Sequence, residues 1–167
     1  MGTMTYLPTR AYDVYEGIVR LLGFLSGSER TLDCAQLHRL LLDPLFALVI
    51  IRDTRRLYPQ NIVGMASISY AHKLGGTIAE IHDVVVDPSC RGEGLGERLM
   101  LALIDHAKRY AEERGESVII ALTSKPSRVA ANKLYLKLGF TLTARHWRKN
   151  HVCVGTNLYR MTVTPSE

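Results

Sequence analysis

The sequence predicts an α+β fold in which helices and strands do not alternate regularly. Two helical patterns fill the first quarter, and a pair of strands follows. A strand, turn, helix, strand and helix then precede a final hairpin. A doubly wound sheet would need regular strand–helix alternation, so this order favours an α+β sheet. With 167 residues, 47% hydrophobic and 22% charged, the chain is expected to form one globular domain over residues 1–167.

The first half of the chain contains the two helical patterns and two strand patterns. Apolar side chains recur at helical spacing from Ala11 to Leu25. Asp33 is placed to cap a second helix, which Asp43-Pro44 would end at Leu42. Two apolar segments predict strands: LFALVIIRD (45–53) and NIVGMASISYA (61–71).

The second half contains the longest helical pattern, from Leu95 to Arg114, with Gly115 at the position that ends a helix. A shorter helix is predicted from Ser127, as its cap, to Leu138, before Gly139. Strands are predicted around these helices, at 77–87, at 117–123 and from Phe140 onward, the last of them at 151–163.

Composition limits the location and the partners of the protein. A net charge of +5 and a pI of 9.2 indicate an anionic partner, for which nucleic acid and a phosphate-rich small molecule are both open. The longest apolar run, PLFALVII, is shorter than the ~20 residues that cross a bilayer, so no membrane partner is expected. No signal-like leader opens the chain and the three cysteines lack metal-like spacing, which favours a cytoplasmic protein without bound metal.

A glycine-rich turn lies in VVVDPSCRGEGLGERLM (84–100), between a predicted strand and the long helix. Closely spaced glycines let the backbone approach an anion, and the free N–H groups at a helix start favour negative charge. No Lys-Ser or Lys-Thr follows, and the glycine spacing does not fit a dinucleotide loop. The segment predicts a phosphate site of another kind, with a plain β–α turn as the alternative.

The pattern R-x-x-G-x-G (91–96) after VVVDP resembles the pyrophosphate loop of the GNAT superfamily of acyl-CoA-dependent N-acyltransferases. SRVAANKLYLKLGF (127–140) resembles the second motif of that family, and TNLYR (156–160) resembles the last strand of many bacterial members. The resemblance implies a mixed, mostly antiparallel central sheet with helices on both faces. It also implies that splayed parallel strands form an acyl-CoA cleft.

The resemblance implies acetyl-CoA as co-substrate, with no metal. The backbone of three consecutive valines would pair with pantetheine, and an N–H near Val85 would polarise the thioester carbonyl. The glycine loop would wrap the pyrophosphate. Arg128 stands where many members carry asparagine, and a contact with the cofactor phosphates is still expected there. The implied cofactor-binding residues are Val84, Val85, Val86, Arg91, Gly92, Glu93, Gly94, Leu95, Gly96, Glu97, Arg128 and Asn132.

Tyr135 occupies the tyrosine position of the second motif, so the resemblance makes it the general acid that protonates the leaving thiolate. The base is open between two residues. Strand alternation places Glu80 and His82 on one face, with Asp83 on the other unless a bulge intervenes. Glu80 is preferred because the histone-acetylating branch carries its glutamate there, whereas His82 needs a smaller pKa shift to titrate near neutrality. For both, a solvent-facing polar residue is the alternative.

The implied function is transfer of an acetyl group to a primary amine of a small molecule or peptide, by direct attack in a ternary complex. Thr123 replaces the base glutamate of ribosomal-protein acetylating relatives, so an N-terminal acceptor of that type is not expected. The basic segment RHWRKNH (145–151) argues against polycationic amines.

Two other function classes stay open. A non-catalytic acyl-CoA sensor would keep the fold and lack turnover. A nucleic-acid-binding domain would show strongly salt-dependent affinity and is not the expected class. Dimers are common in the family, which leaves a homodimer open by analogy.

Overall fold

A computed structural model describes residues 3–26, 32–146 and 156–165. These residues contain seven strands and four α-helices, with a short 3-10 turn at Pro88–Cys90. In chain order the elements are β1 (Thr3–Tyr6), α1 (Tyr15–Ser26), α2 (Cys34–Leu42), β2 (Phe46–Asp53), β3 (Ile62–Lys73), β4 (Gly76–Val86), α3 (Leu95–Arg114), β5 (Val118–Ser124), α4 (Val129–Lys137), β6 (Thr141–His146) and β7 (Thr156–Val163).

The described strands belong to one sheet in the order β1-β2-β3-β4-β5-β7-β6. β4 and β5 are parallel, with Thr77 opposite Val118 and Ile81 opposite Leu122. β1 with β2, β2 with β3, β5 with β7 and β6 with β7 are antiparallel. The predicted α+β fold with a mixed, mostly antiparallel sheet is confirmed.

The chain divides into two compact units, each made of two separate segments. The first unit comprises Met1–Tyr70 and His82–His106, and the second comprises Ala71–Ile81 and Ala107–Glu167. β3, β4 and α3 therefore each pass from one unit into the other. The expectation of one domain over residues 1–167 stays a prediction.

The core of the first unit forms from the apolar faces of α1 and α2 against β2 and β3. Its buried members are Ala11, Val14, Ile18, Leu21, Leu37, Leu48, Ile50, Ile62, Met65 and Val85. Gly17 allows α1 to lie close to β3, because a Cβ there would be 2.4 Å from Cγ1 of Ile62. This core explains why the apolar side chains of the two helices recur at helical spacing.

The predicted helix ends are confirmed at most positions. Asp33 caps α2 by accepting the Gln36 backbone N–H at 2.6 Å, and the Gln36 side chain accepts the Asp33 N–H at 3.0 Å. α1 begins at Tyr15, later than the predicted start at Ala11, because residues 11–14 form a turn closed by the Val14 N–H on the Ala11 carbonyl. None of the described helices has the length and apolar character to cross a bilayer.

The predicted cap of α4 at Ser127 is wrong. The N-cap residue is Arg128, with φ −83° and ψ 61°, and its side chain makes no capping hydrogen bond. The Arg128 N–H donates to the Lys125 carbonyl at 3.0 Å. This extra turn leaves Ser127 outside the helix. The predicted last strand, 151–163, is confirmed over β7, Thr156–Val163, and its residues 151–155 lie outside the described residues.

Candidate active site

β4 extends beyond the segment that pairs with β5. Its register with β5 ends at Ile81, and the strand continues for five residues to Val86. Within this extension Asp83 has φ 51°, a left-handed conformation that interrupts regular pleating. The bulge that strand alternation left open therefore corresponds to a backbone irregularity at Asp83. Val85 is buried, whereas Val84 and Val86 are partly exposed.

The glycine loop after β4 has a backbone that only glycine adopts readily. Gly92 and Gly94 have φ values of 85° and 75°. A Cβ at either position would meet no protein atom within 4 Å, so backbone conformation and not packing requires glycine here. The open space that a Cβ would fill is compatible with a ligand phosphate lying against the loop.

α3 starts directly after this loop, at Leu95. The Arg98 N–H donates to the Gly94 carbonyl at 3.1 Å, so the N–H groups before Arg98 precede the first hydrogen bond of the helix. These donors and the positive end of the helix dipole favour an anion at this position.

Asp87 fixes the turn that leads into the loop. Its Oδ1 accepts the Ser89 N–H at 2.9 Å and the Ser89 hydroxyl at 2.7 Å, and its Oδ2 accepts Nη1 of Arg20 at 2.5 Å. Burial raises the pKa of Asp87, but the hydrogen bonds from Ser89 and Arg20 outweigh it and lower the pKa to about 2. Sequence reasoning missed this residue, although Asp-Pro-Ser is typical of a turn in which Asp bonds the backbone two residues on.

A second set of contacts holds the β2–β3 turn beside Ser89. Arg56 donates from Nη1 to the Ser89 hydroxyl at 3.2 Å, and its Nε lies 3.3 Å from Oδ2 of Asp53. Arg55 donates to the two Asp53 oxygens at 2.9 and 3.0 Å, which lowers the pKa of Asp53 to about 2. The contact of Arg56 with Ser89 has no local sequence signal, since the two residues are 33 positions apart along the chain.

The two candidate bases lie at exposed positions of β4. Glu80 and His82 are exposed, whereas Ala79 and Ile81 are buried, as strand alternation predicts. Nε2 of His82 lies 3.3 Å from the Ser69 hydroxyl on β3, which orients the imidazole. Glu80 lies opposite Ala121 in the register with β5.

Tyr135, the predicted acid, lies on α4 and is 6% exposed. Its ring centroid is 5.4 Å from that of Tyr159 and 6.3 Å from that of Phe140. Burial raises the pKa of Tyr135 above its usual 10.0, against the lowering effect of Arg128, while Tyr159 adds to the rise. The phenol is therefore protonated at neutral pH and able to donate.

The Asn132 side chain makes internal hydrogen bonds. Nδ2 donates to the carbonyls of Lys125 and Pro126 at 3.0 and 3.4 Å, and Oδ1 accepts from the Tyr159 hydroxyl at 3.0 Å. Both amide protons are thus used, and only one lone pair of Oδ1 is left for another partner. Arg128 is exposed at the start of α4.

Two further candidate features are the basic segment near the end of the chain and a metal site. The basic segment RHWRKNH (145–151) lies outside them from Trp147 onward. Within the part of the chain that the structure describes, no group of three or more His, Cys, Asp or Glu side chains is arranged to hold a metal ion.

Comparison with known proteins finds similar sequences. The model of a family described as the acetyltransferase (GNAT) family matches residues 13–140. A glucosamine 6-phosphate N-acetyltransferase from Trypanosoma brucei brucei is 37% identical over 91 residues, covering 53% of this chain and 56% of the relative. The chain matches 26% to 56% of the length of three curated relatives.

Solved structures share the fold. An acetyltransferase from Trypanosoma brucei aligns with a TM-score of 0.66 at 26% identity, over 89% of this chain and 99% of that chain. A Salmonella typhimurium protein solved with its cofactor acetyl-CoA aligns with a TM-score of 0.72 at 20% identity, over 96% of this chain and 94% of that chain.

Proposed function

Because this chain belongs to the acetyltransferase (GNAT) family, we propose that it transfers the acetyl group of acetyl-CoA to a primary amine. The attack is direct, within a ternary complex of enzyme, acetyl-CoA and amine. One observation carries the proposal: Gly92 and Gly94 hold left-handed backbone at the start of α3, with open space where a Cβ would lie. That geometry fits a diphosphate such as the one in coenzyme A.

The cofactor supplies an acetyl group activated as a thioester, and the protein supplies the hydrogen-bond donors that hold the cofactor. The N–H groups of the loop from Gly92 to Glu97 bind the pyrophosphate, and Arg91 adds a positive charge. The backbone of Val84, Val85 and Val86 pairs with the pantetheine arm, and the Val85 N–H polarises the thioester carbonyl. The extension of β4 beyond its register with β5 supports this assignment.

Proton transfers are assigned to side chains on β4 and α4. A lysine-like amine has a pKa of ~10.4 and must lose a proton to attack. We assign that step to Glu80, with His82 as the alternative, directly or through water. Tyr135 protonates the leaving thiolate, and its raised pKa keeps the proton available at neutral pH. Arg128 is the remaining proposed cofactor contact.

The acceptor is proposed to be an amine on a small molecule or peptide, with an anionic group preferred. One similar protein acts, by its name, on glucosamine 6-phosphate, and another on L-methionine sulfoximine and L-methionine sulfone. The net charge of +5 favours an anionic acceptor over a polycationic one.

The test is a thermal shift of the purified protein with acetyl-CoA, ATP, NAD or a short DNA duplex. A ligand at 100 times its Kd adds ~2.7 kcal/mol to the free energy of unfolding, which gives a clear rise in Tm. We expect the rise with acetyl-CoA alone. A rise with DNA or ATP alone would contradict the proposal and favour a nucleotide or nucleic-acid partner.

An amine screen then separates an enzyme from a sensor. Free thiol released from acetyl-CoA is measured with glucosamine 6-phosphate, L-methionine sulfone, lysine peptides and spermidine. Thiol release that depends on one amine supports transfer. Acetyl-CoA binding without amine-dependent release from any acceptor would favour the non-catalytic sensor.

A further inference from the structure

A hydrogen-bonded chain joins β7 to the turn before α4. The Tyr159 hydroxyl donates to Oδ1 of Asn132 at 3.0 Å, and Nδ2 of Asn132 donates to the Lys125 carbonyl at 3.0 Å. A backbone carbonyl only accepts, so the amide must turn its NH2 group to the turn and its oxygen to Tyr159. The phenol is therefore the donor, so the donor and the acceptor are fixed in both hydrogen bonds.

The ring of Tyr159 also packs against the predicted acid. Its centroid lies 5.4 Å from that of Tyr135, with an interplanar angle of 60°. Tyr159 is 2% exposed, and its backbone lies opposite Leu122 of β5 and Leu142 of β6. Strand pairing on both sides and the hydrogen bond at the hydroxyl hold this ring in one orientation. The Tyr135 ring therefore packs against a fixed surface.

The hydrogen bonds of Asn132 compensate for the missing side-chain cap at the start of α4. α4 has nine residues, and its N-cap, Arg128, makes no side-chain hydrogen bond to the helix. A helix this short is marginal alone, and a missing cap costs about 1 kcal/mol. Asn132 lies in the first turn of α4, three residues before Tyr135, so its bonds fix the helix to the preceding turn and set the rotation of α4 about its axis.

We propose that Tyr159 and Asn132 are positioning residues, which hold α4 so that the Tyr135 hydroxyl is oriented towards the leaving thiolate. The inference rests on the proposed function, in which Tyr135 is the acid. It gives the Asn132 amide an internal role in place of the cofactor contact expected from the sequence. A proton donor displaced by ~1 Å loses much of its effect on rate, so small shifts of α4 are enough to matter.

The experiment measures kcat and the KM for acetyl-CoA in Tyr159→Phe, alone and combined with Tyr135→Phe. Tyr159→Phe keeps the ring and removes only the hydroxyl. We expect kcat to fall about tenfold with KM changed less than about twofold. In the Tyr135→Phe background the same substitution should cause no further fall, because no proton donor is left to position.

Two further variants complete the design. Asn132→Ala should repeat the fall in kcat with little change in KM, whereas a cofactor contact at Asn132 would mainly raise KM. Tyr110→Phe is the control, since this buried tyrosine of the same unit also bonds through its hydroxyl, to Nε2 of His72 at 3.3 Å. It is expected to keep the wild-type kcat.

Each outcome decides the inference. An unchanged kcat in Tyr159→Phe overturns it, and so does an equal fall with and without Tyr135. If Tyr159→Phe does not fold, Asn132→Ala in both backgrounds supplies the same comparison. Failure of the proposed acid is seen separately, because Tyr135→Phe alone then keeps full kcat.

Discussion

At the scale of single residues, the candidate phosphate loop depends on backbone that side chains cannot replace. Gly92 and Gly94 supply left-handed conformations, and Asp87 holds the turn before them through Ser89 and Arg20. The glycines are visible in the sequence as a pattern. Arg20 is not, because it reaches Asp87 from 67 positions away along the chain.

Gly94→Val is expected to raise the Kd for coenzyme A at least about tenfold, because the new side chain occupies the space against the loop. Gly115→Val is the matched control, with φ 64° and the same open surroundings at the other end of α3. Both variants should lose about 1–3 kcal/mol of stability from backbone strain. Isothermal titration gives the Kd. Equal affinities in the two variants would show that the glycine loop does not bind the diphosphate of coenzyme A.

Tyr135→Phe is expected to lower kcat about ten- to a thousandfold, with little change in the KM for acetyl-CoA. The phenol is the proposed proton donor, and its ring contacts with Tyr159 and Phe140 survive the substitution. Steady-state kinetics at neutral pH measure the effect. A wild-type kcat in this variant would remove Tyr135 from the acid role.

At the scale of elements, hydrogen-bonded side chains join β3, β4 and the end of α3 in the second unit. The Thr77 hydroxyl donates to Oε1 of Glu116 at 2.7 Å and lies 2.9 Å from Nδ1 of His72. With its proton given to Glu116, Thr77 accepts the Nδ1–H, and Nε2 of His72 then accepts from the Tyr110 hydroxyl. The imidazole tautomer is therefore set by Glu116.

Thr77→Val should lower the free energy of unfolding by about 1–3 kcal/mol, because a buried hydroxyl with two partners is lost. Thr162→Val on β7 is the control, since Thr162 is exposed and changes of that kind stay within about 0.5 kcal/mol. Urea unfolding of both variants measures the difference. Equal midpoints would show that the hydrogen bonds of the Thr77 hydroxyl add nothing to stability.

At the scale of the whole molecule, part of the stability is lost in acid because it depends on carboxylates that are ionised and bonded to arginines. The pKa of Asp87 falls from 3.8 to about 2 in the folded chain, as does that of Asp53. A lowered folded pKa adds stability above the unfolded pKa, and that stability is lost as pH falls from about 4 to about 2. For Asp87 this amounts to about 1–2 kcal/mol, allowing for solvent screening.

Asp87→Asn is expected to flatten the fall of Tm between about pH 4 and pH 2, because the titrating group is gone. It should also weaken acetyl-CoA binding, since the amide cannot replace the charged bond to Arg20. Asp105→Asn removes an exposed carboxylate from α3 and is the control. The expectation is contradicted if Asp87→Asn keeps the wild-type Tm profile, as Asp105→Asn should.

Much of the fold was predictable because local rules agree with tertiary packing. α3 has the predicted bounds, Leu95–Arg114, and Asp33 caps α2 as expected. The cap of α4 was not predictable, because Ser127 is a good cap by type, while a hydrogen bond from the Asn132 side chain to the Lys125 carbonyl, seven residues back, holds the turn around it.

The candidate site was predictable where a motif carries it and not where distant residues support it. The loop glycines and Tyr135 follow from patterns within a few residues. The contacts of Arg56 with Ser89, and of Tyr159 with Asn132, join segments that are 33 and 27 positions apart. No periodicity or spacing rule connects such pairs.

The position of β7 has a consequence for synthesis and assembly. This last described strand lies between β5 and β6, which precede it in the chain. Until the ribosome has produced residues 156–163, β5 lacks one neighbour and β6 lacks its partner, so both present unpaired strand edges. A polypeptide cut before Thr156 would leave that gap permanently. We therefore expect shortened products to aggregate or to be degraded instead of retaining partial activity.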